Sequence, residues 1–318
     1  MDFGLTLPTR GPLASPECIA GLARRGEELG FAHLAAPDHI IVPKRIDSTY
    51  PYSASGEWPG QASGDSFDQF SVLSFAAAIT SKPRLVTSVT VIPHRGAVET
   101  AKLVSTIDVL SHGRMTLGVG AGWMQEEFEA VGAPPFAKRG RVTNEYLEAF
   151  KILWTEEDPR YAGDYVNFAN ISFLPKPVQQ PHPPIWVGGE SPAALRRTVR
   201  YGDAWYPIGN NPRYLLDTRE RFADGVRQLH ELAEQNDRDP DSIKLTYFSN
   251  AFDESKPASS DDGQHRLLTG TAAEIAEDIG ALDEQGVRHL VLNFQRDTLA
   301  RSLDSLQHFA DVIRPLVE

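Results

Sequence analysis

Four consecutive residues, Gly188, Gly189, Glu190 and Ser191, have the composition of an anion-binding turn. They follow a strand-like run, PIWV at 184–187, and precede a helix-like segment that begins at Pro192. Glycine lets a ligand approach the backbone closely, and the first N–H groups of a helix lack partners within it. The turn is therefore a candidate seat for the phosphate of a cofactor. The same residues also suit a plain turn in which Ser191 caps the helix and Pro192 is its first residue.

A histidine beside a carboxylate, Asp38-His39, follows another strand-like run at 31–37. An imidazole titrates near neutral pH and is suited to moving a proton. We expect no metal site, because His39, His94 and the scattered acids lack the spacing of zinc ligands. The single cysteine, Cys18, supplies no set of thiolates.

A glycine-rich run, LGVGAGW at 117–123, has Trp123 where a dinucleotide fingerprint needs its third glycine. It also lies in the middle of the chain rather than in a first βαβ unit, which argues against a dinucleotide-binding fold. Its glycines instead let the end of a strand and the start of a helix approach a flat ring, with Trp123 as one wall. The candidate contacts to such a ring are Gly120, Ala121, Gly122 and Trp123.

The elements that position these residues alternate along almost the whole chain. Predicted strands cover 2–7, 31–37, 84–92, 115–122, 184–189, 203–208, 243–252 and 287–294. Predicted helices cover 16–29, 67–80, 97–111, 123–131, 140–154, 192–201, 212–235, 272–285 and 298–317. Eight strand-then-helix units in one chain predict a closed (β/α)8 barrel, a TIM barrel, as a single domain. The candidate residues then lie at the carboxyl ends of strands, where barrel enzymes have their sites.

Three insertions interrupt the pattern, at about 40–66, 155–183 and 253–270. Long loops in a compact domain are usually functional or mobile. The first and third follow strands, so we expect them on the same face as the site. The second follows a helix and contains a predicted hairpin of YVNF (165–168) and ISFL (171–174). The sequence does not decide at which end of the barrel this insertion lies.

Composition bounds the partners and the compartment. The chain has 318 residues, 41% of them hydrophobic, and a net charge of −12. This charge argues against nucleic acid or an anionic membrane as the main partner. A lone cysteine fits a reducing compartment, and neither a signal peptide nor an apolar run of transmembrane length is evident, so we expect a cytoplasmic protein.

Four segments together carry a family resemblance. They are TSVTVIPHR (87–95), LSHGRMTLGVGAGWMQEEFEAVG (110–132), GDYVNF (163–168) and FLPKPVQQPHPPIWVGGESPAALRRTVRYGDAW (173–205). In this order they resemble the bacterial luciferase-like superfamily, most closely its coenzyme F420-dependent branch, over most of residues 1–250. The resemblance implies a (β/α)8 barrel with a flavin-like ring at the carboxyl mouth. It also makes a homodimer plausible.

The resemblance assigns roles to individual residues. It implies that His39 assists proton movement at the reactive ring or substrate and that Asp38 orients the imidazole. The alternative is that His39 is a loop or cap residue without a part in the reaction. It implies a cis peptide bond between Ser88 and Val89. The implied cofactor contacts are Ser88, Val89, Thr90, Gly120, Ala121, Gly122 and Trp123 for the ring and its side chain, and Gly188, Gly189, Glu190 and Ser191 for the phosphate.

One departure from the branch concerns an acid. Sugar-phosphate dehydrogenases of the branch have a glutamate after the fourth strand where this chain has Trp123, which argues against sugar-phosphate oxidation. We expect the later Glu126 and Glu127 to be solvated helix residues. Two clusters of basic residues lie either on solvated helix faces or against cofactor or substrate. The first contains Arg196, Arg197 and Arg200, and the second contains Lys138, Arg139 and Arg141.

The sequence therefore predicts an F420-dependent oxidoreductase that transfers a hydride between the deazaflavin and a small organic substrate. Two alternatives stay open at this point. One is an FMN-dependent, luciferase-like monooxygenase that uses reduced flavin and O2. The other is a flavin-binding relative without turnover.

Overall fold

Eight parallel strands form a closed barrel with helices on its outside. The computed structural model describes residues 1–60, 65–250, 252, 254 and 259–317. Its strands are β1 (Asp2–Thr6), β2 (His33–Ala36), β3 (Arg84–Thr87), β4 (Thr90–Val91), β5 (Met115–Gly120), β6 (Tyr161–Ala162), β7 (Asn167–Phe168), β8 (Ile185–Gly188), β9 (Ala204–Tyr206), β10 (Lys244–Ser249) and β11 (Val287–Leu292). Its α-helices are α1 (Pro16–Glu28), α2 (Gln69–Ile79), α3 (Ala97–Leu110), α4 (Gln125–Ala130), α5 (Arg139–Thr155), α6 (Pro192–Tyr201), α7 (Arg219–Glu234), α8 (Ala272–Glu284) and α9 (Leu299–His308).

Closure of the barrel follows from the strand pairing. The order around the barrel is β1-β2-β3-β5-β8-β9-β10-β11, and β11 pairs with β1 in parallel register. Helices cover the outer face of these strands and side chains fill the inner one, so their sequences are apolar runs rather than alternations of apolar and polar residues. The interior is filled by side chains that include Val86, Trp186, Tyr206 and Val291. The prediction of a (β/α)8 barrel is confirmed.

The predicted strand at 84–92 is broken in the structure. A cis peptide bond joins Ser88 to Val89, as the family resemblance implies. It separates β3 from the two-residue β4, which pairs with β5, and a 3-10 turn then covers Ile92–His94. The break makes Val89 a bulge at the carboxyl end of the barrel.

Two helix boundaries also differ from the predicted ones. The helix predicted at 212–235 begins only at Arg219, because the Thr218 hydroxyl accepts the Arg221 N–H at 3.2 Å and caps α7 there. The helix predicted at 298–317 is α9 followed by a π turn at Phe309–Ile313 and a 3-10 turn at Arg314–Leu316. No helix in the described part of the chain combines the length and apolar character that a bilayer crossing requires.

The first insertion covers the carboxyl mouth of the barrel. Its residues 40–60 and 65–66 are described, whereas 61–64 lie outside the described residues. The backbone carbonyl of Tyr52 accepts the side-chain amide of Asn210 at 3.1 Å, which ties the insertion to the loop after β9. In the third insertion, residues 253 and 255–258 lie outside the described residues, and Arg221 pairs with Asp261 in the part that follows.

The second insertion lies at the opposite end of the barrel. The side chain of Gln179 accepts from Arg84 at 2.7 Å and donates to the Met115 carbonyl at 2.7 Å, both at the amino ends of strands. Its hairpin is formed by β6 and β7, so the predicted pairing of 165–168 with 171–174 is wrong. Residues 171–174 form no strand, and the side chain of Phe173 is buried in the core.

Candidate active site

The mouth of the barrel contains a histidine–glutamate pair. Nδ1 of His39, three residues beyond β2, lies 2.8 Å from Oε2 of Glu127 in α4. The other oxygen, Oε1, accepts the backbone N–H of Ile40 at 2.8 Å. An ionised carboxylate only accepts hydrogen bonds, so the proton of a neutral His39 lies on Nδ1. Nε2 is therefore the nitrogen left for substrate or cofactor.

Glu127 is not the solvated helix residue that the sequence predicted. Its exposed fraction is 0%, because α4 turns it towards the segment after β2. Burial raises the pKa of this carboxyl, but the hydrogen bond and charge of His39, the charge of His94 and the Ile40 N–H outweigh burial and lower the pKa. The group thus stays ionised beside the imidazole. Glu126 faces the first insertion, where it accepts the N–H groups of Asp47 and Ser48 at 2.7 and 2.9 Å.

Asp38 has a different role from the predicted one. Its two carboxylate oxygens accept from the Arg95 guanidinium at 2.9 and 3.0 Å, and one of them accepts the Val91 N–H at 3.0 Å. Its side chain is fully buried by these contacts. Asp38 therefore fixes β4 and the bulge, and Glu127 takes over the orientation of His39 that was expected of Asp38.

Aromatic rings surround His39 on the insertion side. The ring of Trp58 lies 4.5 Å from the imidazole, centre to centre, and that of Trp123 lies 6.4 Å from it. Tyr50 packs edge-on against Trp123 at 5.1 Å. Trp58 is missed by sequence reasoning because it lies in an irregular insertion with no strand or helix pattern to place it. Trp123 lies among these rings, and its contact with a cofactor ring stays a prediction.

The glycines of β5 and β8 make room for Val89. A Cβ built on Gly120 would lie 2.7 Å from a Val89 methyl carbon, and one on Gly188 would lie 3.1 Å from the other. Larger residues at either position would push the bulge out of place. The bulge and these glycines form the floor on which a flat ring would rest.

Two predicted ring contacts have side chains with other partners. The Thr90 hydroxyl is buried and donates to Gln69 at 2.8 Å, so it faces the barrel wall. The Ser88 hydroxyl lies 2.9 Å from the Tyr206 hydroxyl inside the mouth.

Gly122 has φ +85° and its carbonyl accepts from Arg139 at 3.1 Å, whereas Ala121 is half-buried beside it.

The turn after β8 has the features of a phosphate seat. Gly189 has φ +106°, which favours glycine, and its carbonyl accepts from Trp205 at 2.9 Å. Ser191 caps the ten-residue α6 by accepting the Ala194 N–H at 3.2 Å. The N–H groups of Gly189 and Ser191 have no acceptor among the described residues. Free amides at a helix N-terminus suit an anion, so this turn fits a phosphate.

Glu190 turns away from that seat. Its carboxylate accepts the Ile208 N–H at 2.6 Å and the Asn211 side-chain amide at 2.9 Å. Burial raises the pKa of Glu190 to about 7, against the lowering effect of these donors. Its side chain therefore organises the loop after β9, and only its backbone borders the seat.

The basic groups are divided between structural and solvated positions. Arg197 is buried, with its guanidinium 2.8 Å from Asn144 and 3.3 Å from the Gly140 carbonyl. Arg200 pairs with Glu148 on the surface. Arg139 packs on Phe136 and reaches the Gly122 carbonyl, so it supports the mouth from outside. Lys138, Arg141 and Arg196 are exposed.

One group with metal-like geometry lies at the other end of the barrel. Asp2, His33 and His289 bring a ligand atom each within 4.8 Å of one another, at the amino ends of their strands. Burial and the charges of His289 and Arg84 lower the pKa of His33 to about 3. Nδ1 of His33 has no partner in the described structure, whereas histidines that bind metals normally donate through their second nitrogen. The prediction that the protein has no metal site stays a prediction.

The family model described as "Luciferase-like monooxygenase" matches residues 1–257. The chain belongs to this family.

Two curated relatives show how the family varies. An uncharacterised protein of Mycobacterium tuberculosis is 35% identical over 206 residues, which cover 64% of this chain and 71% of the relative. An FMNH2-dependent dimethylsulfone monooxygenase of Pseudomonas putida is 31% identical over 172 residues, 54% of this chain and 47% of the relative. The second name specifies a flavin cofactor for that protein.

Solved structures share the fold. The monooxygenase RslO1 from Streptomyces bottropensis has a TM-score of 0.76 at 22% identity, with 99% of each chain covered. An F420-dependent secondary alcohol dehydrogenase, bound to an F420-acetone adduct, has a TM-score of 0.74 at 18% identity, with 100% of this chain and 99% of that chain covered. At these identities the likeness concerns the fold alone.

Proposed function

We propose that this protein is an F420-dependent oxidoreductase that moves a hydride between the deazaflavin and a small organic substrate. The observation that carries the proposal is the His39–Glu127 pair, which leaves Nε2 of the imidazole for a ligand at the same end of the barrel as the candidate phosphate seat. Hydride transfer to or from a carbonyl or alcohol needs a proton moved at the same place, and a carboxylate-oriented imidazole can do this. The same fold occurs in an F420-dependent alcohol dehydrogenase, so the fold is compatible with this reaction.

The residues of this chain would divide the work as follows. Bound F420 would supply the two-electron hydride carrier. The amides of Gly189 and Ser191 would hold its phosphate, and the Val89 bulge would support its ring. His39 would give or take the substrate proton at Nε2, while Glu127 stabilises the imidazolium that forms. The first insertion, through Trp58 and Tyr50, would exclude water from the mouth.

A second candidate, an FMN-dependent monooxygenase that uses O2, is favoured by the dimethylsulfone monooxygenase among the relatives. The same phosphate seat and bulge would serve FMN. A flavin-binding relative without turnover is the third alternative. Turnover by the wild-type protein that is lost in His39→Ala, with cofactor affinity retained, would exclude this alternative.

Separate titrations of the purified protein with F420 and FMN test the proposal. We expect F420 to bind tighter than FMN by at least about tenfold, which corresponds to about 1.4 kcal/mol. Riboflavin, which lacks the phosphate, is the control for the seat and should bind more weakly than FMN. Tight binding of FMN without binding of F420 would replace the proposal by the monooxygenase. The homodimer and cytoplasmic location stay predictions.

A further inference from the structure

Arg10 lies at the mouth beside the proposed proton donor. It follows β1 and forms an antiparallel bridge with Ser66, at the end of the first insertion. The Ser66 hydroxyl donates to the His39 carbonyl at 2.9 Å. Arg10 and His39, which follow the neighbouring strands β1 and β2, therefore both bond to Ser66.

The guanidinium of Arg10 is held on an aromatic ring. Its central carbon lies 4.6 Å from the centre of the Trp58 ring, and Trp58 in turn contacts the His39 imidazole at 4.5 Å. Trp58 is only 5% exposed, so the guanidinium lies against a buried ring.

The hydrogen-bonding capacity of this guanidinium is unused. It makes no hydrogen bond and no ion pair with any residue in the described ranges. Other half-buried or buried arginines differ: Arg95 binds two carboxylates, and Arg114 donates to four backbone carbonyls and a hydroxyl. A guanidinium has five donors and keeps its charge in proteins. The charge of Glu127 acts on Arg10, but this carboxylate already accepts from His39 and from the Ile40 N–H.

The position of Arg10 separates it from the proposed phosphate seat. From β1 the seat after β8 is four strands away in either direction around the barrel. If the cofactor phosphate lies after β8 as proposed, an anion bound by Arg10 would lie on the opposite side of the mouth from that phosphate.

We infer that Arg10 binds an anionic group of the substrate, so that the substrate is a small organic acid with its reacting carbon near His39. The inference rests on the proposed function for the identity of the reaction, but the anion site itself does not. A carboxylate would accept two parallel N–H groups from the guanidinium, a geometry that lysine cannot reproduce. Burial lowers the pKa of Arg10, yet arginine stays charged, so an incoming anion would neutralise it.

Binding of acetate, hexanoate and benzoate to the protein, compared with their primary amides, tests this inference. Quenching of tryptophan fluorescence would report binding near Trp58. We expect at least one acid to bind about tenfold or more tighter than its amide, as a charged hydrogen bond implies. Arg10→Gln should remove this preference, and Arg10→Lys should retain part of it. Arg24→Gln, which removes an exposed charge on α1, is the matched control and should leave the preference unchanged.

Equal binding of acids and amides, no acid binding, or a preference that survives Arg10→Gln would overturn the inference. F420 affinity should be the same in the wild type and in Arg10→Gln. A protein that binds FMN alone but prefers acids through Arg10 would refute the proposed function and leave the anion site standing.

Discussion

Nδ1 of His39 lies 2.8 Å from a carboxylate oxygen of Glu127, although the two residues are 88 positions apart in the sequence. One follows β2 and the other lies in α4 after β5. The pair fixes the tautomer of the imidazole and places a buried negative charge behind it. This relationship has direct consequences for catalysis and for stability.

The substitution Glu127→Gln should lower turnover by about 10²-fold to 10⁴-fold, because the imidazolium loses the charge that stabilises it. Cofactor affinity should change little. Steady-state kinetics and cofactor titration measure both quantities. Glu126→Gln is the matched control, since Glu126 accepts from Asp47 and Ser48 of the first insertion and not from His39 in the described contacts, and its turnover should stay within a few fold of the wild type. Similar turnover in the two variants would refute the role of Glu127.

Glu127 should also make stability depend on pH in the acid range. Its pKa is lowered in the folded state, so the stabilisation is present above the ordinary carboxyl pKa of 4.5 and is lost as pH falls below it. The wild type should exceed Glu127→Gln by about 1–3 kcal/mol at pH 7, and this difference should shrink towards pH 3. Urea unfolding at a series of pH values measures it. A difference that grows on acidification would contradict the assignment.

Glu190 should have the opposite pH dependence. Burial raises its pKa from 4.5 to about 7, so the folded state retains a proton that the unfolded state loses, and stability falls as pH rises through this range. Relative to Glu190→Gln, the wild type should lose about 2–3 kcal/mol of unfolding free energy between pH 5 and pH 8. Denaturant unfolding of both proteins at the two pH values checks this. A pH-independent difference would show that Glu190 titrates normally.

The glycine at the phosphate seat should be sensitive to a single methyl group. Gly189→Ala places a side chain at φ +106°, with its Cβ 3.2 Å from that of Ala194, and should weaken cofactor binding by about tenfold or more. Gly280→Ala is the control, because a Cβ there meets no atom within 4 Å and the residue lies inside α8. It should leave binding unchanged and stabilise the fold by about 0.5–1 kcal/mol. Equal cofactor affinity in both variants would remove the seat from the turn after β8.

The buried pair of Asp38 and Arg95 should matter for the fold more than for proton transfer. Asp38→Asn removes the carboxylate that holds Arg95 and the Val91 N–H, and should cost about 3 kcal/mol of unfolding free energy. Asp47→Asn removes the partner of Arg45 in an exposed pair and should cost much less than Asp38→Asn, because solvent screens the exposed charges. Thermal and urea unfolding compare the two. An unchanged stability of Asp38→Asn would mean that β4 is held by other contacts.

The barrel was predictable from the sequence because each strand-then-helix unit carries its own local signal. Apolar strand runs and amphipathic helices recur eight times, and only boundaries such as the start of α7 at Arg219 depended on capping contacts. The break within 84–92 was not readable from strand pattern. It was expected only through the family resemblance.

In the site, the sequence predicted single residues that follow strands better than it predicted which residues contact each other. Position after β2 and β8 singled out His39 and Gly189, but Glu127 was misread as solvated because an acid on a helix usually faces water. Its burial depends on how α4 packs against the segment after β2, which is a tertiary contact with no local signature. The same holds for Trp58 and Arg10, which the first insertion brings together.

The central claim is that F420 binds in the mouth with its phosphate on the turn after β8 and its ring beside His39. A crystal structure of the protein soaked with F420 tests this claim most directly. We predict phosphate oxygens within hydrogen-bond distance of the Gly189 and Ser191 amides, and a ring that rests on Val89 with Nε2 of His39 at its edge. Density for the cofactor at any other place, or an empty mouth at saturating F420, would contradict the account.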